Sequence, residues 1–529
     1  MSDSISRSNA QDFLRLAGLI CLLSFSAVSG AVVFEVTNAE EFQAALSAAS
    51  NNGGDDEILL REGTYFGNFK YVPEESFALK VTGVGRGKSI LDGNGKAYVF
   101  FLSAKTFTPT ILFSDLDMRN TSQSEGSLLR LTSSEDYPFG WNIGVVPNFR
   151  ITNVHLSSPD TSHKAIFVSG IDLQMEEVNF EGGSLVCDTC SVFIDESVLA
   201  LPKGSIEVGA VKITNSRISS DSFTSSQFKS GQYQFRAPEV SGSKLNVSSI
   251  SFANAGSTRL AENHIHSAFL RINAGGSLAS NVIEIVGLTN SFNSGFRIDT
   301  DPGSREVTLD NNLVFGQVSL TIAEVTKLNL TSNTFVLPVS VSLFSGGSTQ
   351  TVVNNVFDPF DGGEGFIVEG FAESATLKNN ILPTGSSSIW DIDTGNIIGD
   401  AGFYDPDNGD YHLSASSPAI NSGTNETVVS SETLDLDGNP RVVDGTIDIG
   451  AYERNLTALH PADTNGNSEI SQDEFDLYNQ AWRANENWPT SPSVIPVDFV
   501  TRAGYLLQKG GAYKNIGVGK PATWVPVSE

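Results

Sequence analysis

The feature that most restricts the fold of this chain is a degenerate repeat in which asparagine interrupts short runs of alternating apolar and polar residues. Five copies are recognisable as KITNSRI, LDNNLVF, LTSNTFV, VVNNVFD and LKNNILP, and their asparagines are Asn215, Asn312, Asn333, Asn355 and Asn380. The last four asparagines are separated by 21, 22 and 25 residues. A period of this size is typical of a solenoid, in which one supersecondary unit stacks on the next.

The residues between about 58 and about 420 read almost entirely as short strands. They alternate apolar and polar residues and are separated by Gly, Ser, Asn and Asp, which favour turns. A coil of this length accommodates three strands of about 4–6 residues with tight corners, so the sequence predicts an all-β parallel β-helix. We expect each repeated asparagine to lie at a corner, to tolerate a left-handed conformation there and to hydrogen-bond along the stack.

A short amphipathic helix is predicted ahead of the first strands. Asn38 and Glu41 have the spacing of a capping box, and a glycine-containing Asn-Asn-Gly-Gly segment at 51–54 should end the helix. Its apolar face would contain Phe42, Ala45, Leu46 and Ala49. Such a helix would cover the open end of the solenoid, where unpaired backbone groups otherwise invite edge-to-edge pairing.

The first 31 residues have the pattern of a secretory signal peptide. Arg7 and Arg15 flank an apolar stretch, and the small residues Ser29 and Ala31 lie at a plausible cleavage site. No later stretch is apolar enough to span a membrane. The sequence therefore predicts a secreted or cell-surface protein with no membrane span after signal removal. The net charge of −29 disfavours nucleic acid as a partner.

Two cysteines remain after the signal, in the segment LVCDTCSV. Cys187 and Cys190 would be too far apart for a disulfide along an extended strand, but a tight turn at Asp188 and Thr189 could join them. A clamped turn and a pair of unlinked thiols are both compatible with this pattern. A redox or zinc site is disfavoured, because neither a strand-helix pattern nor a second ligand pair accompanies it.

Several segments resemble known families. VTNAEEFQAAL, DEILLREGTYFG and SILDGNG, with ILFSDLDMRN at 111–120, resemble the first coils of pectate-lyase-like right-handed parallel β-helix proteins. The segments 400–425 and 434–453 are similar to the terminal region of choice-of-anchor Q proteins, which implies a bacterial surface or secreted protein. We therefore predict a signal peptide at 1–31, a right-handed parallel β-helix (solenoid) at 32–453, a linker at 454–462 and a small α-helical module at 463–529.

The clearest ligand pattern is the segment DTNGNSEISQDE, from Asp463 to Glu474. Ca²⁺ takes about six to eight oxygen ligands, and an EF-hand-type loop supplies them from positions 1, 3, 5, 7, 9 and 12. Those positions are held by Asp463, Asn465, Asn467, Glu469 (through its backbone carbonyl), Ser471 and Glu474. Ile470 is the apolar residue that ties such a loop to its neighbour. Position 6 is Ser468 instead of glycine, so an Asx-rich turn that caps a helix is the alternative.

A shift of 24 residues aligns a second, weaker copy of this loop and the helix that follows it. Ile470 aligns with Val494, but positions 3 and 5 of the second copy are Pro489 and Ser491, which cannot form a cage. The pair resembles dockerin-type modules, which implies Ca²⁺ binding and docking onto a protein scaffold. A self-contained Ca²⁺-stabilised module is the alternative.

One basic cluster stands out on the predicted β-helix. The segments SAFLRI and SGFRI have matching flanks, which places Arg271 and Arg297 one coil apart, facing a polyanion. Asp299 and Asp301 follow Arg297, and His264 and His266 precede Arg271. A polysaccharide lyase needs a base and a cation that stabilises the developing charge, and these arginines and histidines are its candidates. Scattered surface polar residues are the simpler interpretation.

Three functions are compatible with this sequence. The first is an exported β-helix protein that binds acidic polysaccharide or a cell-surface glycan and carries a Ca²⁺-binding attachment module. The second is a polysaccharide lyase that cleaves uronate glycans such as pectate or alginate by β-elimination. The third is a structural adhesin without catalytic activity.

Overall fold

The computed structural model describes residues 31–529, except for 105–109, 121–126, 134–147, 160–163, 189, 227–238, 254–257, 273–275, 287–294, 300–305, 317–319, 324, 338–340, 359–366, 385, 389–393, 415, 428–432, 444, 455–458, 491, 516–520, 522–523 and 528–529. The predicted signal peptide therefore lies outside the described residues, apart from Ala31. The chain divides into two compact units, Met1–Pro238 and Glu239–Glu529.

The first unit is a parallel β-helix preceded by one helix. Its elements are β1 (Val33–Val36), α1 (Ala39–Ala48), β2 (Asp56–Leu60), β3 (Gly63–Phe66), β4 (Phe69–Tyr71), β5 (Leu79–Gly83), β6 (Ser89–Asp92), β7 (Tyr98–Ala104), β8 (Ile111–Arg119), β9 (Ser127–Ser133), β10 (Asn148–Ser157), β11 (Lys164–Ser169), β12 (Asp172–Glu176), β13 (Asn179–Glu181), β14 (Ser184–Asp188), β15 (Ser191–Asp195), β16 (Val198–Val208), β17 (Ala210–Thr214) and β18 (Arg217–Ser226).

Every strand of this unit's β-helix pairs in parallel with its equivalent one coil further along, which forms three sheets. Sheet 1 includes β2, β5 and the first part of β8, whereas sheet 2 includes β3, β6 and the last part of β8. Sheet 3 runs through β4, β7, β9, β11 and β14. This arrangement confirms the prediction of an all-β right-handed parallel β-helix.

The interior of the first unit is built by the alternation seen in the sequence. Along most strands buried residues alternate with exposed or half-buried ones, as Leu79 and Val81 do with their neighbours in β5. Rings from successive strands meet inside, with centroids 4.7 Å apart for Phe100 and Phe113 and 5.3 Å apart for Phe113 and Phe149. Burying a large apolar side chain stabilises the fold by about 1.5–3 kcal/mol, so each coil adds several such contributions.

The predicted helix is present as α1 and covers the start of the solenoid. Asn38 is its N-cap, and the side-chain oxygen of Asn38 accepts a hydrogen bond from the Glu41 backbone N–H at 3.0 Å. Phe42 is fully buried, and its ring centroid lies 4.7 Å from that of Phe69. The amphipathic pattern therefore seals the first coil, as the sequence predicts.

A disulfide joins Cys187 and Cys190 at the end of β14, and their Cα atoms are 5.8 Å apart. Both cysteines are buried. Of the two interpretations left open by the sequence, the structure shows the clamped turn.

The second unit continues the same strand pattern and adds two smaller parts. Its elements are β19 (Glu239–Ser241), β20 (Lys244–Ala253), β21 (Thr258–Ala261), β22 (His264–Ser267), β23 (Phe269–Ile272), β24 (Gly276–Ala279), β25 (Val282–Ile285), β26 (Gly295–Asp299), β27 (Glu306–Asp310), β28 (Leu313–Gly316), β29 (Leu320–Ala323), β30 (Lys327–Thr331), β31 (Thr334–Val336), β32 (Val341–Val353), β33 (Val356–Asp358), β34 (Ile367–Lys378), β35 (Ile381–Leu382), β36 (Ser387–Ser388), β37 (Ile397–Ile398), β38 (Phe403–Asp405), β39 (Asp410–Leu413), α2 (Gln472–Ala484), α3 (Val497–Gln508), β40 (Tyr513–Asn515) and β41 (Trp524–Pro526), with short 3₁₀ helices at Pro406–Asn408 and Asn425–Thr427.

A ladder of buried asparagines runs along one corner of the second unit. In each pair of coils, the side-chain oxygen of one asparagine accepts hydrogen bonds from the backbone N–H and the side-chain amide of the asparagine before it. For Asn312 and Asn333 both distances are 2.9 Å. The ladder consists of Asn263, Asn281, Asn312, Asn333, Asn355, Asn380 and Asn396. The predicted hydrogen bonding along the stack is confirmed.

The left-handed residue of each corner is not the ladder asparagine, as the sequence analysis expected, but the residue before it. Asn311, Ser332 and Asn354 have φ values of 56°, 53° and 60°. Asn215 has φ of 48° and is therefore the left-handed residue of its corner. The ladder position of that coil is not Asn215 but the next residue, Ser216, whose hydroxyl accepts from the Ser197 N–H at 3.1 Å.

The segment that resembles the choice-of-anchor terminal region folds around buried carboxylates. Asp435, Asp448 and Glu453 are 4%, 1% and 5% exposed, and buried Arg441 lies among them. Their oxygens bind backbone N–H groups: Asp435 accepts from the Glu453 N–H and Glu453 from the Asp448 N–H, both at 2.9 Å. Burial, reinforced by the charge of Asp448, raises the pKa of Glu453 to about 8. The acidic residues of this motif therefore have a structural role.

The helical module at the carboxyl end has its own apolar core. α2 and α3 pack around the aromatic residues Tyr478, Trp488 and Trp524, which are buried together with Ile470 and Leu506. Ser471 is the N-cap of α2 and forms a capping box with Glu474. Across the described part of the chain, no helix combines the length and apolar character needed to cross a membrane.

Candidate functional site

Arg271 and Arg297 lie side by side on adjacent strands of the second unit. In that unit we call the sheet of β22, β25 and β28 sheet 2, and the sheet of β23, β26 and β29 sheet 3. β23 and β26 pair in parallel with Arg271 opposite Arg297, and Ser251 and Thr321 continue the same row on either side. Their neighbours in the strands, Leu270, Ile272, Phe296 and Ile298, are buried. Alternation therefore places both arginines on the outward face, with Arg297 exposed and Arg271 half-buried.

The histidines lie on a different sheet from the arginines. His264 and His266 belong to β22 in sheet 2, and Ser267 and Ala268 connect that strand to β23. His266 Nδ1 lies 2.8 Å from Glu284 Oε2 on the next coil. Glu284 was not predicted from the sequence, because VIEI reads as an ordinary strand. The only signal for it is its register opposite His266.

The two candidate aspartates cannot be assigned to the same face. Asp299 is the last residue of β26 and pairs in register with Ala323, but its side chain lies outside the described residues. Asp301 lies outside them altogether.

The EF-hand-type segment forms a compact loop whose side-chain oxygens turn toward its own backbone. Asp463 Oδ1 accepts from the Gly466 N–H at 2.6 Å, and Asp463 Oδ2 accepts from the Ser468 N–H at 2.9 Å. Asn465 Oδ1 accepts from the Asn467 N–H at 3.0 Å, and Asn467 Oδ1 from the Glu469 N–H at 2.9 Å. Ser468 adopts the left-handed corner, with φ of 58°, although it is not glycine.

Glu474 folds back onto the start of this loop. Its Oε1 accepts from the backbone N–H groups of Thr464 and Asn465 at 2.9 and 3.1 Å, and its Oε2 accepts from the Ser471 N–H at 3.0 Å. Burial acts to raise the pKa of Glu474, but the hydrogen bonds from Ser471, Asn465 and Thr464 leave that pKa below its ordinary value. The helix cap, which the sequence left as the alternative, is thus present in the same residues.

Two residues at the loop were missed by the sequence analysis because they are distant in the chain. Tyr513 donates a hydrogen bond from its hydroxyl to Asp463 Oδ2 at 2.7 Å. Arg454 lies against Gly466 and donates from Nη1 to the Leu413 carbonyl. Burial raises the pKa of Asp463, whereas the hydrogen bonds from Tyr513, Gly466 and Ser468 favour its charged form.

Ile470 is hydrogen-bonded to the segment that follows α3. Val494, the equivalent residue of the second copy, is 66% exposed. Ile470 is fully buried, and its N–H donates to the Gly511 carbonyl at 3.1 Å. The segment after α3 therefore takes the place of the decayed second loop.

The loop fits Ca²⁺ in the type and spacing of its oxygens. Asp463, Asn465 and Asn467 offer side-chain oxygens at alternating positions, and Glu474 brings a carboxylate to the same end. Among the described residues no group of three or more His, Cys, Asp or Glu could hold a metal ion.

Comparisons with known proteins found matches among solved structures, whereas no protein-family model and no curated protein matches the chain. Tailspike protein 3 of bacteriophage CBA120 is similar with 10% identity and a TM-score of 0.36, over 67% of this chain and 59% of that one. A mutant of the PL6 family alginate lyase AlyGC is similar with 12% identity and a TM-score of 0.30, over 81% of this chain and 60% of that one. The chain therefore spans about three fifths of the length of each.

Proposed function

We propose that this protein is exported and binds acidic polysaccharide on sheet 3 of its second unit. The observation that supports the proposal is the pair Arg271 and Arg297 on adjacent strands of one outward face. The two strands are neighbours in one sheet, about 4.8 Å apart, so one extended anion can contact both outward arginines. Arginine binds carboxylates and sulfates in a two-pronged geometry, so a uronate or sulfated sugar suits the pair.

The ligand is tested by titrating the protein with alginate, polygalacturonate and chondroitin sulfate fragments, and with neutral dextran as the uncharged reference. Replacing Arg271 or Arg297 by glutamine is expected to weaken binding of the preferred acidic glycan about tenfold, because each removes a charge-assisted hydrogen bond worth about 1.5–3 kcal/mol. Isothermal titration calorimetry measures the change in Kd.

Lys327→Gln is the matched control for these variants. It removes one positive charge from the same unit, but Lys327 lies on β30 and is paired with Glu306 at 2.6 Å. Equal weakening in this control would show that only net charge matters and would reject the site. If no acidic glycan binds, the structural adhesin becomes the better assignment.

A lyase is the second candidate, and the His266–Glu284 pair at 2.8 Å favours it, since the carboxylate orients an imidazole that can act as a base. The same titrations distinguish it from a binding protein. A lyase forms an unsaturated product whose ultraviolet absorbance rises with time, and a rise that is lost in His266→Gln would assign the enzyme.

We propose further that the loop from Asp463 to Glu474 binds Ca²⁺ and stabilises the terminal module, which serves to attach the protein to a scaffold or surface. Asp463, Asn465, Asn467, Ser471 and Glu474 would hold the ion with side-chain oxygens, and Glu469 with its backbone carbonyl. The ion would supply no chemistry beyond holding these oxygens together.

Asn467→Asp is expected to tighten Ca²⁺ binding about tenfold, because a carboxylate replaces an amide among the ligands. The measurement is the thermal shift of the module as Ca²⁺ is titrated, with chelator as the reference. Asn487→Asp adds the same charge at an exposed position outside the loop and should leave the affinity unchanged. If Ca²⁺ and chelator give the same melting curve in both the wild type and Asn467→Asp, the loop is a helix cap only.

A further inference from the structure

A second outward row of residues, on sheet 3 of the first unit, combines cations with aromatic rings. Lys70, Phe101, Arg130 and Phe167 occupy successive strands β4, β7, β9 and β11 in direct register. Neighbouring strands are about 4.8 Å apart, so the row forms a straight stripe on one face. We call these four residues, with Tyr98 and Lys164 beside them, the basic aromatic stripe.

The cations of the stripe lie against its rings. Lys70 Nζ is 5.8 Å from the centroid of the Phe101 ring, and Lys164 Nζ is 5.3 Å from that of Phe167. Tyr98 extends the aromatic surface, with its ring centroid 5.3 Å from that of Phe101. Arg130 is exposed between the two phenylalanines, which are themselves half-buried.

These cations differ from the ion-paired basic residues of the same unit. On the sheet 1 side, Arg61 pairs with Glu35 at 2.6 Å, Lys80 pairs with Glu57 at 2.8 Å, and Arg150 pairs with Glu176. Among the residues that the structure describes, no ion pair includes Lys70, Arg130 or Lys164.

The chemistry of the stripe identifies a class of ligand. An aromatic face is negative and attracts the C–H groups on the flat side of a sugar ring, while lysine and arginine bind a carboxylate or sulfate. Because Phe101, Arg130 and Phe167 alternate along a straight line, the fit is to an extended polymer in which ring faces and acidic groups recur.

We infer that the basic aromatic stripe is a second binding site for linear acidic polysaccharide, separate from the arginine pair of the second unit. It shares the ligand class of the proposed function and therefore rests on it in that respect. Its residues and its surface are different, so the two sites can be tested independently.

The test uses the full chain and compares four variants, Arg130→Gln, Phe167→Ala, Lys80→Gln and Arg271→Gln. The probes are polygalacturonate and alginate fragments, neutral dextran and a single-stranded oligonucleotide. Arg130→Gln and Phe167→Ala are each expected to weaken binding of a uronate fragment about fivefold or more. Lys80→Gln, which removes an ion-paired cation from sheet 1, should change it less than twofold.

The outcomes separate this inference from the proposed function. Loss in Arg271→Gln without loss in Arg130→Gln or Phe167→Ala would reject the stripe and keep the arginine pair. Loss in the stripe variants alone would reject the arginine pair and keep the stripe. Three results would overturn the stripe as an acidic-polysaccharide site. They are a loss of uronate affinity in Lys80→Gln equal to that in the stripe variants, binding of neutral dextran as tight as that of uronate, and tighter binding of the oligonucleotide than of uronate.

Discussion

Replacing Asn333 by leucine is expected to lower the free energy of unfolding by about 3–5 kcal/mol, although leucine is apolar and the site is fully buried. The side-chain oxygen of Asn333 accepts from the N–H and the amide of Asn312, both at 2.9 Å. Its own amide donates to the Leu309 carbonyl at 2.8 Å and to Asn355 Oδ1 at 2.9 Å. The substitution leaves the buried Asn312 N–H without its acceptor and removes one hydrogen bond each from the Asn312 amide, the Leu309 carbonyl and Asn355 Oδ1. An unsatisfied buried group costs about 1–3 kcal/mol, and each further lost hydrogen bond adds about 0.5–1.5 kcal/mol.

The measurement is denaturant unfolding together with hydrogen exchange, because a solenoid need not unfold in one step. Exchange should rise most in the coils on either side of Asn333. Asn329→Leu is the control: it makes the same change four residues earlier in the chain, on β30, where the half-exposed amide donates to Glu306 Oε1 at 3.1 Å and to Thr308 Oγ1 at 3.4 Å. Equal destabilisation by the two variants would show that the ladder has no special energetic role.

The parallel β-helix could be predicted from the sequence because its coils are defined locally. Each coil repeats the same inward alternation, and the corner asparagine marks the period. What the sequence could not supply is which of two neighbouring residues occupies the ladder. The side-chain oxygens of Asn and Ser can both accept a hydrogen bond from a backbone N–H. In one coil Ser216 takes the ladder position, so the repeat was matched to the neighbouring Asn215, which is the left-handed residue.

The candidate sites could likewise be predicted only where the local sequence shows which residues are paired between strands. Arg271 and Arg297 could be placed on adjacent coils because matching flanks carry the register. The basic aromatic stripe could not, because Lys70, Phe101, Arg130 and Phe167 have unlike flanks and are 29 to 37 residues apart. Each is simply one outward residue of its strand, and only the register of sheet 3 shows that they form a row.

Arg454 lies between the loop of residues 463–474 and the β-strand residue Leu413, all in the second unit. Gly466→Ala is expected to destabilise the module by about 2–5 kcal/mol. Gly466 has φ of +75°, and a β-carbon added there would lie 1.5 Å from Arg454 Nη2. The Arg454 guanidinium donates from Nη1 to the Leu413 carbonyl, so moving it away from the added β-carbon loses that hydrogen bond.

Gly438→Ala separates the clash from the backbone strain. Gly438 has a similar φ of +83°, but nothing lies within 4 Å of an added β-carbon, so alanine there should cost about 1 kcal/mol. Thermal unfolding and hydrogen exchange of α2 measure both variants. A third comparison identifies the partner: in an Arg454→Ser background, Gly466→Ala should cost no more than Gly438→Ala, because the space that Arg454 filled is then open. If Gly466→Ala costs the same with and without Arg454, the loop's own conformation explains the loss, and Arg454 does not join the module to the β-helix.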